Sequence, residues 1–375
     1  MKLIHKANQM VKILSQSALL ILFISCNQDK TSGQQQIKDS NKNDSSIIVD
    51  PPLTLKFTSG IRSILEDSKG NFWFGSHNEG VARYDGKKIT YYSITDGLSH
   101  NQVRTIKEDA SGRIWFECGE GTSFYSGFLV SSYSERNYSE RNNWSTTQND
   151  IWFKGDEMTG FNELEGTPGA YRHNGSEMIY QIFPVEMKKN EAFSYSISAP
   201  IIKGKNNKIW FATYGAVIGY NGEDFTIIND QTLNLDDATG HFHVRSIFED
   251  SNENLWIGNN GIGVLKYDGD TLVNMSKLYG LVPESSKHNG NSSPPGTLEH
   301  VFSIGEDKNG HMWFGDRDTG AWRFDGKAFK NFTLADGLSS NHIWAIYKDK
   351  KDELWYAMAD GSVCKFNGRS FYEIL

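Results

Sequence analysis

The stretch WFGDRDTGAWRFDG, residues 313–326, has a skeleton that recurs along the chain. Its tryptophan, its loop with a glycine and its aromatic–acid–glycine triplet return as WFGSHNEGVARYDG (73–86) and WIGNNGIGVLKYDG (256–269). A recurring internal unit indicates a repeat architecture, in which each repeat forms one supersecondary motif. The architecture of the repeat therefore frames the interpretation of every other residue.

Alignment on this tryptophan divides the chain into seven repeats. Each tryptophan is followed by a segment that ends in a glycine turn, such as RYDG, KYDG or KFNG. Asp-Gly and Asn-Gly between two β-type runs predict hairpins, because a type I′ turn needs positive φ at both central residues. The seven anchors are Trp73, Trp115, Trp152, Trp210, Trp256, Trp313 and Trp355.

A second constant segment precedes the tryptophan in most repeats. IRSILEDSKGNFW and VRSIFEDSNENLW each begin twelve residues before it, with a strand, a tight polar turn and the strand that carries the tryptophan. Each repeat thus supplies four short strands, A to D, in about 45 residues. Stacking such sheets around an axis buries both faces of each sheet. The sequence predicts an all-β fold, a seven-bladed β-propeller of four-stranded antiparallel blades over residues 51–375.

This architecture assigns structural roles to the constant residues. The tryptophans should form the core between blades, since large aromatic side chains dominate such interfaces. The aspartates of the A–B turns should accept backbone hydrogen bonds, with calcium binding as a weaker alternative. They are Asp67, Asp109, Asp250 and Asp307.

The sequence alone leaves two features of the ring undecided, namely the strands of repeat three and the strand that closes the ring. Repeat three contains NNWSTTQNDIW, which lacks a clear A strand and its turn. Both LTLKFT (53–58) and SFYEIL (370–375) resemble a D strand, and either could close the ring.

The N-terminus has the features of a signal that targets a protein to the cell envelope. Lysines precede an apolar run, SALLILFIS (17–25), that is too short to span a bilayer comfortably and ends at Cys26. The run LFISC resembles a bacterial lipoprotein signal, which implies a signal peptide over 1–25 and lipidation of Cys26. Residues 26–50 are polar and aperiodic, which predicts a flexible tether. The alternative is an ordinary cleaved secretory signal, and Met10 could be the true start.

This reading places the protein in the bacterial cell envelope. The resemblance to lipoproteins, with Asn27 after the cysteine, favours the outer membrane and membrane contact through the lipid anchor only. The formal net charge is −8, and no cluster of Lys and Arg stands out in the body of the chain. Nucleic acid is therefore not expected as a partner. Cys118 and Cys364 should be buried free thiols.

The constant segments carry a family resemblance. The pattern V-x-x-I-x-E-D, followed by L-W-I-G and R-Y-D-G, resembles the two-component regulator propeller repeat. ITDGLSHNQV (94–103) and LADGLSSNHI (334–343) are similar to the element between blades of that family. The resemblance implies a sensory extracellular propeller. Because the chain reaches its last residue directly after repeat seven, we expect ligand binding or sensing rather than the kinase output of that family.

The candidate site lies where strand A begins. The D–A connections vary most in length and share one face of a propeller with the B–C loops, and variable loops usually carry function. Residues on either side of the first apolar position of strand A have the same parity and should face the same side. In repeat four we assign these positions to Ile197 and Ala199. The other repeats place a basic and partly aromatic set there: Arg62, Arg104, His243, Arg245, His300, Phe302, His342 and Trp344.

This set predicts a pocket at the mouth of the central channel for an anionic small molecule or an oligosaccharide. Arginine forks suit carboxylate or sulfate, and Phe302 or Trp344 could stack on a sugar ring. In the alternative interpretation, the histidines satisfy backbone groups of the interblade turns and the arginines pair with acidic loops.

Two other functions compete with this hypothesis. KIWFATYGAVIGYNG (208–222) is similar to the repeats of streptogramin lyases, which implies metal-assisted elimination with a histidine base near Glu299 and His300. LEHV places these two residues side by side, which does not match the Glu-x-His spacing of that family. We expect no cofactor, with a divalent metal as the weaker possibility. An interaction scaffold, with a membrane protein as partner, would instead use the loop 278–300.

Overall fold

The structure is a computed structural model that describes residues 54–133, 137–138, 143–154, 167–186, 191–237, 240–283 and 292–375. The predicted signal peptide (1–25), the lipidation site Cys26 and the tether (26–50) lie outside the described residues. Within them the chain forms seven four-stranded sheets. The predicted seven-bladed propeller is confirmed. None of the described helices has the length and apolar character needed to cross a membrane.

The first two blades follow the predicted strand order, and each strand is antiparallel to the next. Blade one comprises β1 (Ile61–Glu66), β2 (Phe72–Ser76), β3 (Val81–Tyr84) and β4 (Ile89–Tyr92). Blade two comprises β5 (Val103–Glu108), β6 (Ile114–Cys118), β7 (Thr122–Tyr125) and β8 (Val130–Tyr133).

Blade three departs from this order. Its strands are β9 (Asn137–Tyr138), β10 (Ile151–Lys154), β11 (Gly169–His173) and β12 (Met178–Ile182). The sheet runs β10-β11-β12-β9, and β9 is parallel to β12 on the outer edge. The tryptophan strand β10 is therefore innermost, and none of the described residues of this blade forms a strand at position A. The weak third repeat of the sequence accounts for this, because it has no apolar run where strand A should be.

The remaining four blades return to the predicted order. Blade four comprises β13 (Ile202–Lys203), β14 (Ile209–Ala212), β15 (Ala216–Tyr220) and β16 (Phe225–Asn229). Blade five comprises β17 (Val244–Glu249), β18 (Leu255–Asn259), β19 (Val264–Tyr267) and β20 (Leu272–Asn274). Blade six comprises β21 (Val301–Glu306), β22 (Met312–Asp316), β23 (Ala321–Phe324) and β24 (Phe329–Phe332). Blade seven comprises β25 (Ile343–Lys348), β26 (Leu354–Met358), β27 (Val363–Phe366) and β28 (Phe371–Glu373).

Helical structure in the described chain lies in the connections between blades, except for one 3-10 turn between β13 and β14 of blade four. The α-helical turns are α1 (Asp230–Leu233) and α2 (Met275–Leu278). The 3-10 turns span Ile94–Asp96, Ala192–Tyr195, Lys205–Asn207 and Leu334–Asp336.

The ring closes without an exchanged strand. β28 completes blade seven, whereas residues 54–58 form no strand. Leu55 and Phe57 instead pack in one buried cluster with Ile61, Trp355 and Leu375, between blades one and seven. The two ends of the described propeller are therefore held together by apolar burial rather than by a shared sheet.

The blade tryptophans form the predicted core between neighbouring blades. Trp73 packs with Val103 and Ile106 of blade two, and Trp313 packs with Ile343 of blade seven. Cys118 and Cys364, the two cysteines within the described residues, are buried and form no disulfide there, as predicted.

The turn aspartates bind the tryptophans as well as the backbone. Asp307 accepts hydrogen bonds from the amides of Asn309 and His311, and from Trp313 Nε1 at 2.9 Å. Burial opposes ionisation of Asp307, but these bonds outweigh it, and the pKa of the carboxyl lies below its usual value. The same indole-to-aspartate bond occurs in blades one, two, five and seven. One side chain thus ties the A–B turn to the core between blades.

Candidate functional site

A β-bulge shapes the start of strand A in five blades. In blade one, Ile61 pairs with Ser76 and Ser63 pairs with Gly75, so that Arg62 is left over between them. A bulge of this kind bends the strand and re-aims the extra side chain. The bulged residues are Arg62, Arg104, Arg245, Phe302 and Trp344, all of which were predicted as site residues.

A glycine and a serine accommodate each bulge in blades one, five and six. In blade five, Ser246 follows the bulge and its Oγ donates to the carbonyl of Val301 in the next blade at 3.0 Å. A Cβ on Gly258 would lie 2.2 Å from that Oγ and 2.6 Å from the same carbonyl oxygen. The close approach of neighbouring inner strands therefore requires a glycine two positions after the blade tryptophan in these three blades.

The bulged side chains meet across blade boundaries. The guanidinium carbon of Arg62 lies 4.5 Å from the ring centroid of Trp344. The rings of Phe302 and Trp344 are 5.5 Å apart and edge-on, and His342 lies 4.5 Å from Trp344. On the other side of Phe302, Arg245 lies 5.4 Å from its ring. Blades one, five, six and seven thus contribute to one continuous wall of aromatic and guanidinium groups.

A second set of residues at this mouth was missed by the sequence analysis. His77 stacks on Trp344 at 5.9 Å, and its Nδ1 lies 3.4 Å from Arg62 Nη1. Tyr214 lies 5.2 Å from Arg245 and 4.5 Å from Phe193. The sequence held a signal for His77 and Tyr214, because each of these two residues stands four positions after a blade tryptophan. At this position in six blades, the amide donates to the carbonyl of the residue that enters strand A.

These backbone bonds correct the prediction for repeat four. The Tyr214 amide donates to the carbonyl of Ser196, just as the His77 amide donates to that of Gly60. Ile197 forms a bridge with Thr213, which is the position that Ser76 occupies opposite Ile61. The residues equivalent to the predicted pairs are therefore Ser196 and Ser198, and the assignment of Ile197 and Ala199 was wrong by one residue. The irregular entry into blade four hid the register.

The arginines give the mouth its positive charge. Burial, followed by the nearby charges of Arg104 and Arg245, lowers the pKa of Arg62 to about 10. Lys154 is close to the same positive charges. Burial, together with Arg104 and Arg62, lowers the pKa of Lys154 to about 8, although Glu117 favours the charged form. Within the described part of the chain, none of these three arginines forms an ion pair with a carboxylate. Arg62 remains charged at neutral pH, and Arg104 and Arg245 are close enough to repel it.

The histidines do not all contribute as predicted. Burial, with Arg317, Arg62 and His77 nearby, lowers the pKa of His342 to about 4, so its ring is neutral at neutral pH. His243 contacts Tyr214 at 5.2 Å and lines the mouth. His300 enters strand A of blade six as His342 does in blade seven, but it is only 3% exposed. The predicted basic ring is therefore a set of arginines flanked by aromatic and imidazole rings.

The residues considered for a lyase are buried. Glu299 and His300 are 5% and 3% exposed. In the described ranges, no three His, Cys, Asp or Glu side chains are grouped so that they could hold a metal ion.

Three segments of the chain match the family model of the two component regulator propeller: residues 56–78, 241–261 and 337–360. Each segment covers the entry into one blade and the first two strands of that blade, in blades one, five and seven. These three segments match the two component regulator propeller repeat. The predicted family resemblance is thus confirmed at the level of the repeat. No curated protein matches the chain.

Solved structures share the fold of these propeller repeats. The extracellular domain of a hybrid two component system from B. thetaiotaomicron aligns with 17% identity and a TM-score of 0.58, over 83% of this chain and 39% of that one. The chain thus spans well under half of that domain. A virginiamycin B lyase from Staphylococcus aureus aligns with 17% identity and a TM-score of 0.57, over 84% of this chain and 96% of the lyase. Identities this low establish the common fold alone.

Proposed function

We propose that this protein is an extracytoplasmic binding propeller whose channel mouth holds an anionic ligand with a sugar-like ring. The observation that carries this proposal is the cluster of Arg62, Arg104 and Arg245, which lies beside flat aromatic rings and lacks carboxylate partners in the described chain. Guanidinium groups bind carboxylate and sulfate through paired hydrogen bonds. Like charges held together in this way are stabilised when an anion binds between them.

Two unsatisfied atoms support a ligand at this place. Arg245 Nε and His342 Nε2 are buried, and neither has a hydrogen-bond partner in the described structure. Buried polar groups are nearly always hydrogen-bonded, so an orphan donor or acceptor calls for a partner. Neutral His342 could accept or donate a bond to a hydroxyl group, while Trp344 and Phe302 provide apolar surface for the face of a ring.

A glycan array on residues 50–375 tests the proposal. We expect glycans with uronic acid or sulfate groups to bind, and their neutral counterparts to bind at least tenfold more weakly. The double substitution Arg104→Ala/Arg245→Ala should weaken binding of the acidic glycans by at least about 100-fold, since two charge-assisted bonds of about 1.5–3 kcal/mol each would be lost.

The matched control for this experiment is Arg113→Ala/Arg369→Ala. It removes the same total charge from positions outside the mouth, at an A–B turn and an exposed C–D turn. We expect this variant to bind acidic glycans like the wild type. Equal affinity for acidic and neutral glycans, or an equal loss in both double variants, would show that the mouth is not an anion site.

We also propose that the propeller is held at the outer membrane by a lipid on Cys26. The support is the sequence LFISC after a short apolar run, together with a repeat family found in extracellular domains of sensors. Metabolic labelling with a palmitate analogue tests this: the wild type should be labelled and sediment with membranes. Cys26→Ser should be unlabelled and appear in the soluble fraction. A labelled Cys26→Ser variant, or an unlabelled wild type, would contradict the proposal.

A further inference from the structure

A cavity of about 590 Å³ lies beside β10, at the edge of blade three where none of the described residues forms strand A. Its walls come from the end of β5 in blade two, from β10 in blade three, and from residues 201–203 and Ile209 in blade four. Ser68, Glu108, Asp109 and Gly112 also line it, so the cavity opens at the A–B turns. The arginine mouth lies at the opposite end of strand A, where Arg104 stands at the start of β5. The cavity is therefore a separate site.

The interior of the cavity is apolar. Ile106, Ile201 and Ile209 are buried residues of its wall, and Trp152 is also buried there at 3% exposure. Sites for small molecules typically have volumes of about 300–1,000 Å³, with apolar walls and a few placed polar groups. In size and lining this cavity meets that description.

The carboxylates and the ammonium groups at the cavity differ in the partners that they bind. The carboxylates have partners: Glu108 accepts from the amide of Ser68 at 2.7 Å, and Asp150 forms an ion pair with Arg172 at 2.7 Å. The ammonium groups of Lys107 and Lys203 bond backbone carbonyls instead, at Trp152 and at Gln148. Neither lysine forms an ion pair with a carboxylate of the residues that the structure describes.

Lys107 is the deeper of the two ammonium groups. Burial lowers its pKa to about 8, while the more distant Glu117 favours the charged form. The group is thus mainly protonated at neutral pH and has left water without an adjacent counter-charge. A buried ammonium in this state gains from an anionic partner.

The exposed edge of β10 is already occupied by side chains. Lys107 donates to the carbonyl of Trp152, and Glu117 accepts from the amide of Lys154 at 3.0 Å. These are the edge groups that a strand A would bond in a regular blade. An added peptide strand would have to displace both side chains, whereas a small ligand would not.

We propose that this cavity binds a small amphipathic anion, with an apolar chain or ring against the isoleucines and a carboxylate at Lys107 and Lys203. The proposal is independent of the ligand at the channel mouth. It follows from the edge of blade three at which no described residue forms strand A, because an apolar volume lies there beside two ammonium groups that have no carboxylate partners among the described residues.

Isothermal titration with decanoate and with the neutral 1-decanol tests the proposal on the full propeller. We expect decanoate to bind the wild type at one site, at least tenfold more tightly than decanol. Lys107→Met should weaken decanoate at least tenfold and leave decanol unchanged. Ile201→Trp, at a residue that packs with Trp152 and Ile209, should fill the cavity and weaken both molecules, while the matched control Lys266→Met should bind decanoate like the wild type.

Thermal unfolding by circular dichroism verifies that each variant is folded. If Lys107→Met does not fold, Ile201→Trp alone decides, because it changes no charge and tests the cavity directly. Three results would overturn the proposal: no binding of decanoate to the wild type, unchanged binding to Ile201→Trp, or loss of binding in Arg104→Ala/Arg245→Ala alone. The last result would place the carboxylate at the channel mouth instead.

Discussion

Replacing Trp313 with alanine is expected to lower the free energy of unfolding by about 3–5 kcal/mol. The side chain is 1% exposed and lies within 5.5 Å of Phe332, Tyr356 and Phe366, measured between ring centroids. Its removal would leave a cavity between blades six and seven. It would also remove the indole donor to Asp307, which holds the A–B turn. Urea unfolding followed by circular dichroism measures the loss.

The matched control is Trp344→Ala, the same substitution on the channel wall. Trp344 is partly exposed and contacts Arg62, Phe302 and His342, none of which belongs to the core between blades. Its loss should cost less than half as much stability, but it should weaken the proposed glycan ligand. If the two variants lost equal stability, the blade tryptophans would not have the central packing role that their burial indicates.

Replacing Gly258 with alanine is expected to cost about 1–3 kcal/mol or more, since overpacking forces the backbone to move. The new Cβ would meet Ser246 Oγ at 2.2 Å and the carbonyl oxygen of Val301 at 2.6 Å. Ser246 follows the bulged Arg245, and Val301 precedes the bulged Phe302. The clash should therefore displace both site residues, and binding of acidic glycans should fall together with the melting temperature.

Ser246→Ala separates the clash from the hydrogen bond in this prediction. It removes the bond to Val301, which should cost about 1 kcal/mol, and leaves the bulge in place. Combining it with Gly258→Ala should not restore stability, because the carbonyl oxygen of Val301 still blocks the new Cβ. A wild-type melting temperature for Gly258→Ala would mean that the inner strands are not packed as closely as the structure has them.

The candidate site was partly accessible from the sequence. Arg62 and Trp344 could be assigned to one opening because equivalent positions of a repeat come together in a closed ring. His77 and Tyr214 could have been found from their constant distance after the blade tryptophans. The role of His342 could not, since its lowered pKa depends on burial and on Arg317, Arg62 and His77, which belong to other parts of the chain. His300 is equivalent to His342 in backbone position, but only the structure shows that it is almost completely buried.

The repeats in the sequence were sufficient to predict the propeller fold, the number of blades and the position of the tryptophans in the core. This is because each repeat carries its own alternation and turns, which are local properties of a few residues. The bulges, the pairing of Arg62 with Trp344, the closure by apolar packing and the cavity beside blade three depend on contacts between blades. Those contacts join residues such as Gly258 and Val301, or Lys107 and Trp152, that are more than forty positions apart in one polymer. Packing between such distant segments sets the conformation, so the pocket could be described only when all blades were in place.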